Sequence, residues 1–153
     1  MIRSIRFAVL AGLAAPVLAL AGAGAAFAHH NAMDGYDEKA PVVLKGEISK
    51  VDWSGEHAVI FIKAAEGKSW KVQAAPVATM KENGLDETSL GGNGAVTLRG
   101  YQSKDKACKP DCLAAAKDVT FADGLKVILD GSHAKEQGKA VHDRLVKAKG
   151  AHH

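Results

Sequence analysis

The stretch that most constrains how this chain can fold is residues 42–53, which carries apolar positions in two phases. Val42, Leu44, Gly46 and Ile48 share one face, and the apolar phase then slips to Val51 and Trp53. Strand residues i and i+2 line the same face, so one strand holds both sets only if an extra residue intervenes, as in a β-bulge. Gly46 in mid-strand allows sharp coiling. A long first strand that bulges and coils suits a small closed barrel.

The segments that follow fit that idea. Ser54-Gly55-Glu56 is a turn, and His57 opens a second strand with Ala58, Ile60, Ile62 and Ala64 on one face and His57, Val59, Phe61 and Lys63 on the other. Both faces are apolar, so periodicity does not say which is the core. Glu66-Gly67-Lys68 is a hairpin turn, and residues 69–74 form a third strand with Trp70, Val72 and Ala74 aligned. Pro76 then starts a short helix, where its missing N–H costs nothing, and Asn83-Gly84 stops it. Leu85 and Leu90 are expected to pack back onto the barrel. The glycine-rich turn at residues 91–94 is no phosphate loop, because no Lys-Ser/Thr follows and a strand comes next. A fourth strand over residues 95–101, a fifth over 115–121, an Asp123-Gly124 turn and a last strand over 125–129 complete the order. Three strands, a helix and two or three more strands predict a mainly β fold. It is an OB-like antiparallel barrel of five to six strands over residues 42–129, with one short helix between strands three and four.

Residues 130–153 change character, being rich in Lys, His, Ala and Gly with only Val141, Leu145 and Val146 as sizeable apolar residues. A helix within this stretch would be marginal without packing, so a mobile or loosely docked tail is expected.

The start of the chain reads as an export signal. Arg3 and Arg6 precede an uncharged apolar run, and Ala26-Phe27-Ala28 has the small-x-small pattern of a cleavage site. The rival reading is a retained anchor, since about 20 apolar residues suffice to span a bilayer. Pro16 and the Gly/Ala-rich last third argue for cleavage. Residues 1–28 are therefore expected to be removed, leaving a polar, extended lead-in over residues 29–41 and a periplasmic protein with no membrane attachment. About 125 residues then remain, enough for one domain. The net charge of +3 includes Arg3 and Arg6, so the remainder is close to neutral. That argues against nucleic-acid binding, which needs clustered Lys and Arg.

Cys108 and Cys112 are the only two cysteines. In an oxidising compartment a close pair is most simply a disulfide, here clamping a Lys-Pro-Asp turn. The alternative is a two-thiol Cu(I) site or a redox pair.

On these residues the chain resembles an uncharacterised family of small exported bacterial domains of unknown function. Its members mature to a His-His start, followed by a lead-in with an aromatic residue or Met and a strand ending in Trp-x-Asn-Pro-His. A Trp-containing strand, a Ser-Pro helix start and an Asp-Gly turn come after. The corresponding positions here are His29-His30, residues 53–57, Trp70, Ala75-Pro76 and Asp123-Gly124, so the resemblance spans residues 29–129. Gly55-Glu56 stands in place of Asn-Pro, the cysteine loop is an addition, and the tail is longer. The resemblance implies the barrel, the export and a pairing of the terminal histidines with His57, but no activity.

Cleavage after Ala28 would expose a terminal His29, whose amine and imidazole lie next to the imidazole of His30. Such nitrogen donors suit copper, and also zinc. The sharpest functional expectation is a histidine-brace copper site: His29 chelating through amine and ring, with His57 or His30 as the second imidazole. Met33 would be a soft thioether ligand and Asp34 an outer partner orienting a ring. A copper motif with His third in the chain is absent, because Asn31 stands there. His133, His142, His152 and His153 could gather metal diffusely in the tail. No Ser/His/Asp or Cys/His context and no helical His-x-x-x-His pair is present, so no enzyme is expected. The expected task is metal carriage or buffering, with a metal ion and another envelope protein as partners. The competing class is a non-metal OB-like binding or scaffold module, in which Val59 and Phe61 beside His57 form a platform for a partner protein or small ligand. A purely structural envelope protein is the third.

Overall fold

The first strand, β1 (Tyr36–Asp52), organises the molecule. The computed structural model of the chain describes residues 33–90, 94–132 and 137–150. Residues 36–47 of β1 pair antiparallel with β4 (Ala95–Ser103), while residues 46–52 pair with β2 (His57–Ala64). The hand-over falls on Gly46, which opposes Val96 on one edge and Ala64 on the other. A Cβ at Gly46 would lie 2.1 Å from the Lys63 carbonyl oxygen, so only glycine lets the two strands approach this closely. The β1–β2 register shifts between Ile48 and Lys50, which is the bulge that the slipped apolar phase called for.

Five strands close into a barrel. β2 pairs with β3 (Ser69–Pro76), β3 with β5 (Cys112–Phe121), β5 with β4, and β4 with β1. All these neighbours are antiparallel except β3 and β5, which run parallel from Trp70↔Cys112 to Gln73↔Ala115. A ring of five cannot alternate direction all the way round, so one parallel seam is unavoidable. A sixth strand, β6 (Lys126–Ile128), adds to the C-terminal half of β5. The expected strands are present, with β1 starting earlier, β5 starting at Cys112, and β6 shorter than the periodicity suggested.

The core lies inside the ring. Ala58, Ile60, Ile62 and Ala64 face inward from β2, which resolves the two-faced ambiguity of that strand and turns His57, Val59, Phe61 and Lys63 outward. Trp70, Val72, Leu98, Val119 and Phe121 complete the filling. Helix α1 (Val77–Glu82) follows Pro76 and ends where Gly84 takes a φ of 75°. Its Met80, with Leu85 and Leu90, is buried against the barrel as expected.

The segment read as a loose tail carries a second helix, α2 (Gln137–Gly150). Val141 is only 1% exposed, Leu145 packs on the core, and the Gln137 side-chain amide bonds both the N–H and the C=O of Ile128 on β6. The Arg144 guanidinium stacks 4.0 Å from the Phe121 ring centroid. Three apolar residues give a weak periodic signal, but tertiary packing supplies what a lone helix lacks.

Candidate functional site

His57 lies at the mouth of β2 on the outer face, half-buried, directly opposite Pro76 of β3. The turn before it is held at both ends despite lacking an Asn-Pro pair. Asp52 Oδ1 accepts hydrogen bonds from the Ser54 N–H at 3.0 Å and the Ser54 hydroxyl at 2.7 Å. The Ser54 hydroxyl, foremost, holds the Asp52 carboxyl below its usual range. On the far side, the Glu56 carbonyl accepts the Val77 N–H at 2.9 Å. The imidazole is thus carried on a strand end pinned to α1.

Met33, the first described residue, is half-buried. Its carbonyl accepts the Tyr36 N–H at 2.9 Å, and the turn so made is tied down where the Asp34 carbonyl accepts Lys104 Nζ at 2.8 Å. Asp34 is itself exposed. Tyr36 reaches across to β3, donating its hydroxyl to Gln73 Oε1 at 3.3 Å, and burial pushes its phenol pKa up. Met33 lines a cleft of about 120 Å³ over the parallel β3–β5 seam, together with Gln73, Pro76 and Asp130. Pro76 is therefore a shared neighbour: Met33 shares this cleft with it, and His57 opposes it across β2–β3. Directly opposed residues on antiparallel strands have Cα atoms about 4.5–5.5 Å apart.

His29 and His30 lie outside the described residues, as do His133, His152 and His153 and the segment read as an export signal. His142 is exposed on α2. Among the described residues no group of three or more His, Cys, Asp or Glu side chains is gathered to hold a metal. Among them, too, no helix is long and apolar enough to cross a membrane. Cys108 and Cys112 are joined as a disulfide, and Cys112 opens β5 opposite Trp70, so the bridge ties the β4–β5 loop to the parallel seam. Sequence reasoning missed Gln73 and Asp130 as neighbours of Met33. No local pattern could reveal them, because Gln73 sits on β3 and Asp130 follows Leu129, whose carbonyl accepts the Ala75 N–H at 2.7 Å, and both contacts are far from Met33 in the chain.

The outer face beyond His57 carries Val59 and Phe61. The Phe61 ring is approached by Lys50 and Lys71 ammonium groups at 5.5 and 5.7 Å from its centroid. Each lysine also meets an aspartate, Asp52 at 3.5 Å and Asp111 at 3.2 Å. Both charges are thereby largely balanced.

Fold and surface together define a small, mainly β barrel-like domain of OB-like topology with two short flanking helices. The chain belongs to a family of unknown function (DUF6152), whose model matches residues 17–110. The match takes in β1 to β4 and most of the β4–β5 loop, and ends before β5 and the Asp123-Gly124 turn. No curated protein and no solved structure matches the chain.

Proposed function

We propose that this protein is an exported, periplasmic binder of copper, with zinc as the alternative metal, acting in metal carriage or buffering and not in catalysis. Removal of residues 1–28 would give His29 a free amine beside its imidazole. His57 would supply a second imidazole from the barrel, with His30 as its rival, Met33 as a thioether ligand and Asp34 orienting a ring from outside. One observation carries this reading: Met33 and His57 both neighbour Pro76. Four extended residues span about 13 Å, which is the length available to bring a terminal His29 from Met33 toward the His57 end of β2. Amine and imidazole nitrogens in such a set favour tetragonal Cu(II), and a thioether adds affinity for Cu(I).

The test compares exported protein, its first residue established by mass spectrometry, with His29→Ala, His30→Ala, His57→Ala and a form carrying one glycine ahead of His29. Cu(II), Cu(I) and Zn(II) are titrated against each. Loss of His29 or masking of its amine should weaken Cu(II) binding by more than the roughly 10–100-fold that loss of an outer partner causes. Equal affinity across the series would refute the brace.

A second reading, a partner-binding face on β2 and β3, is favoured by Val59 and by Phe61 set between Lys50 and Lys71. An added glycine at the amino terminus would leave that activity untouched, while Phe61→Ala would remove it.

A further inference from the structure

At the other end of β2 from His57, where β2 and β5 finish and β4 begins, the barrel rim opens into a groove of about 640 Å³. We infer that this groove binds a small amphipathic carboxylate, an alkyl chain ending in one anionic head.

Two adjacent rows of outward-facing residues build it. In the first, cross-strand register aligns Lys45 of β1, Thr97 of β4, Thr120 of β5 and Lys126 of β6. Leu98 and Val119, beside the threonines, are fully buried, so both threonine side chains face out. Directly opposed side chains have Cβ atoms about 4.5–5.5 Å apart, so the two hydroxyls can converge on one carboxylate. Both threonines are half-buried, and neither hydroxyl makes a hydrogen bond to another described residue. Neither hydroxyl is sealed from solvent, so both stay open to an acceptor arriving from outside.

The charge around the row is complementary to an anion. Lys45 and Lys126 stand at its two ends, and neither forms an ion pair with a described residue. Glu47, the acid in the groove lining, is directly opposed by Lys63 on β2, and Lys45 and Lys63 together leave the lining with a net positive charge. In the next row, register sets Ala95 of β4 opposite Glu47 of β1, and Ala95 and Ala122, with Ala65 just after β2, are small, apolar and exposed at the mouth. Val96 and Phe121 lie beneath them, and Gly46 leaves the floor free of a side chain for the backbone reason already given. The volume falls within the range of about 300–1,000 Å³ usual for small-molecule sites. Strand walls make the groove preformed. An anionic head on the threonines would therefore leave its chain over the alanines.

The probe is octanoate, with octyl glucoside at the same concentration as a neutral-headed control, followed by backbone amide NMR and calorimetry on the full exported chain. Saturable octanoate shifts should centre on residues 95–97 and 120–122, with octyl glucoside at least about tenfold weaker. The Thr97→Val/Thr120→Val pair keeps the shape of the site and should weaken octanoate about tenfold or more, as expected for lost hydrogen bonds to a charged group. Ala95→Leu fills the mouth and should abolish saturable binding, with an unchanged melting curve reporting that the barrel is intact. Absence of saturation below about 10 mM, a weak range by any affinity scale, would overturn the proposal. So would shifts centred on another surface, or equal binding of both probes. Metal titration reads the His57 end independently.

Discussion

Replacing Gly46 with alanine probes the point on which the barrel turns. The added Cβ would sit 2.1 Å from the Lys63 carbonyl oxygen, 2.8 Å from Ala64 Cα and 2.9 Å from the Lys63 carbonyl carbon. All three are backbone atoms, so no side chain can swing aside, and relief demands that β1 and β2 part by about 1 Å to restore ordinary contact. Separation is resisted on the opposite edge, where Gly46 also opposes Val96. Overpacking a tight site costs about 1–3 kcal/mol, and a clash of backbone with backbone belongs at the upper end. With an unfolding entropy of about 2.1 cal/mol/K per residue over roughly 110 described residues, 3 kcal/mol lowers Tm by about 13 °C. Thermal melts by circular dichroism would read this directly. Gly35→Ala is the control, because a Cβ there meets nothing within 4 Å, and its Tm should move by no more than about 2 °C. A Gly46→Ala protein melting within about 4 °C of wild type, a loss of only about 1 kcal/mol, would refute the claim that close approach at this residue shapes the barrel.

Other perturbations follow from the same geometry. Replacing Cys108 and Cys112 together by serine should cost about 2 kcal/mol, the chain-entropy value for so short a loop; chemical denaturation giving wild-type stability would mean the turn holds itself. Val141→Ala removes two methyl groups from a site 1% exposed and should cost about 2 kcal/mol. If α2 is docked only weakly, the unfolding midpoint will not shift. Asp86 accepts hydrogen bonds from the Thr88 hydroxyl at 2.7 Å and the Ser89 hydroxyl at 2.9 Å, and the Thr88 bond foremost holds its carboxyl below the ordinary value of 3.8. A depressed folded-state pKa contributes stability above the unfolded value, and that contribution drains away as pH falls through the folded one. Wild type should therefore lose stability more steeply than Asp86→Asn below about pH 4, and parallel acid limbs would refute the assignment.

Much of the barrel was legible because it is written in local pattern. The slip from Ile48 to Val51 announced the bulge, and Glu66-Gly67-Lys68, Asn83-Gly84 and Asp123-Gly124 each mark the turn or helix stop expected of them. The docking of α2 was not legible, because Val141 and Leu145 become a face only when β6 and the β5–β6 turn come beneath them. Asp118 illustrates the same limit. It is a carboxylate 1% exposed and paired with Arg99 across β4–β5, and nothing in Lys117-Asp118-Val119 signals a buried charge. The candidate metal site divides likewise: His29, His30 and His57 stand out as residue types, but the neighbourhood of Met33 and Pro76 does not.

The sequence alone therefore determined the order of the strands, the coil at Gly46, the helix after Pro76 and a disulfide as the simplest pairing of the cysteines, since each depends on residues within a few positions of one another. Tertiary structure decided which face of β2 is core, where the ring closes, what α2 covers, and that Lys45, Thr97, Thr120 and Lys126 form one row. Those outcomes depend on register between strands far apart in the chain, and register is set by burying all the inward faces at once.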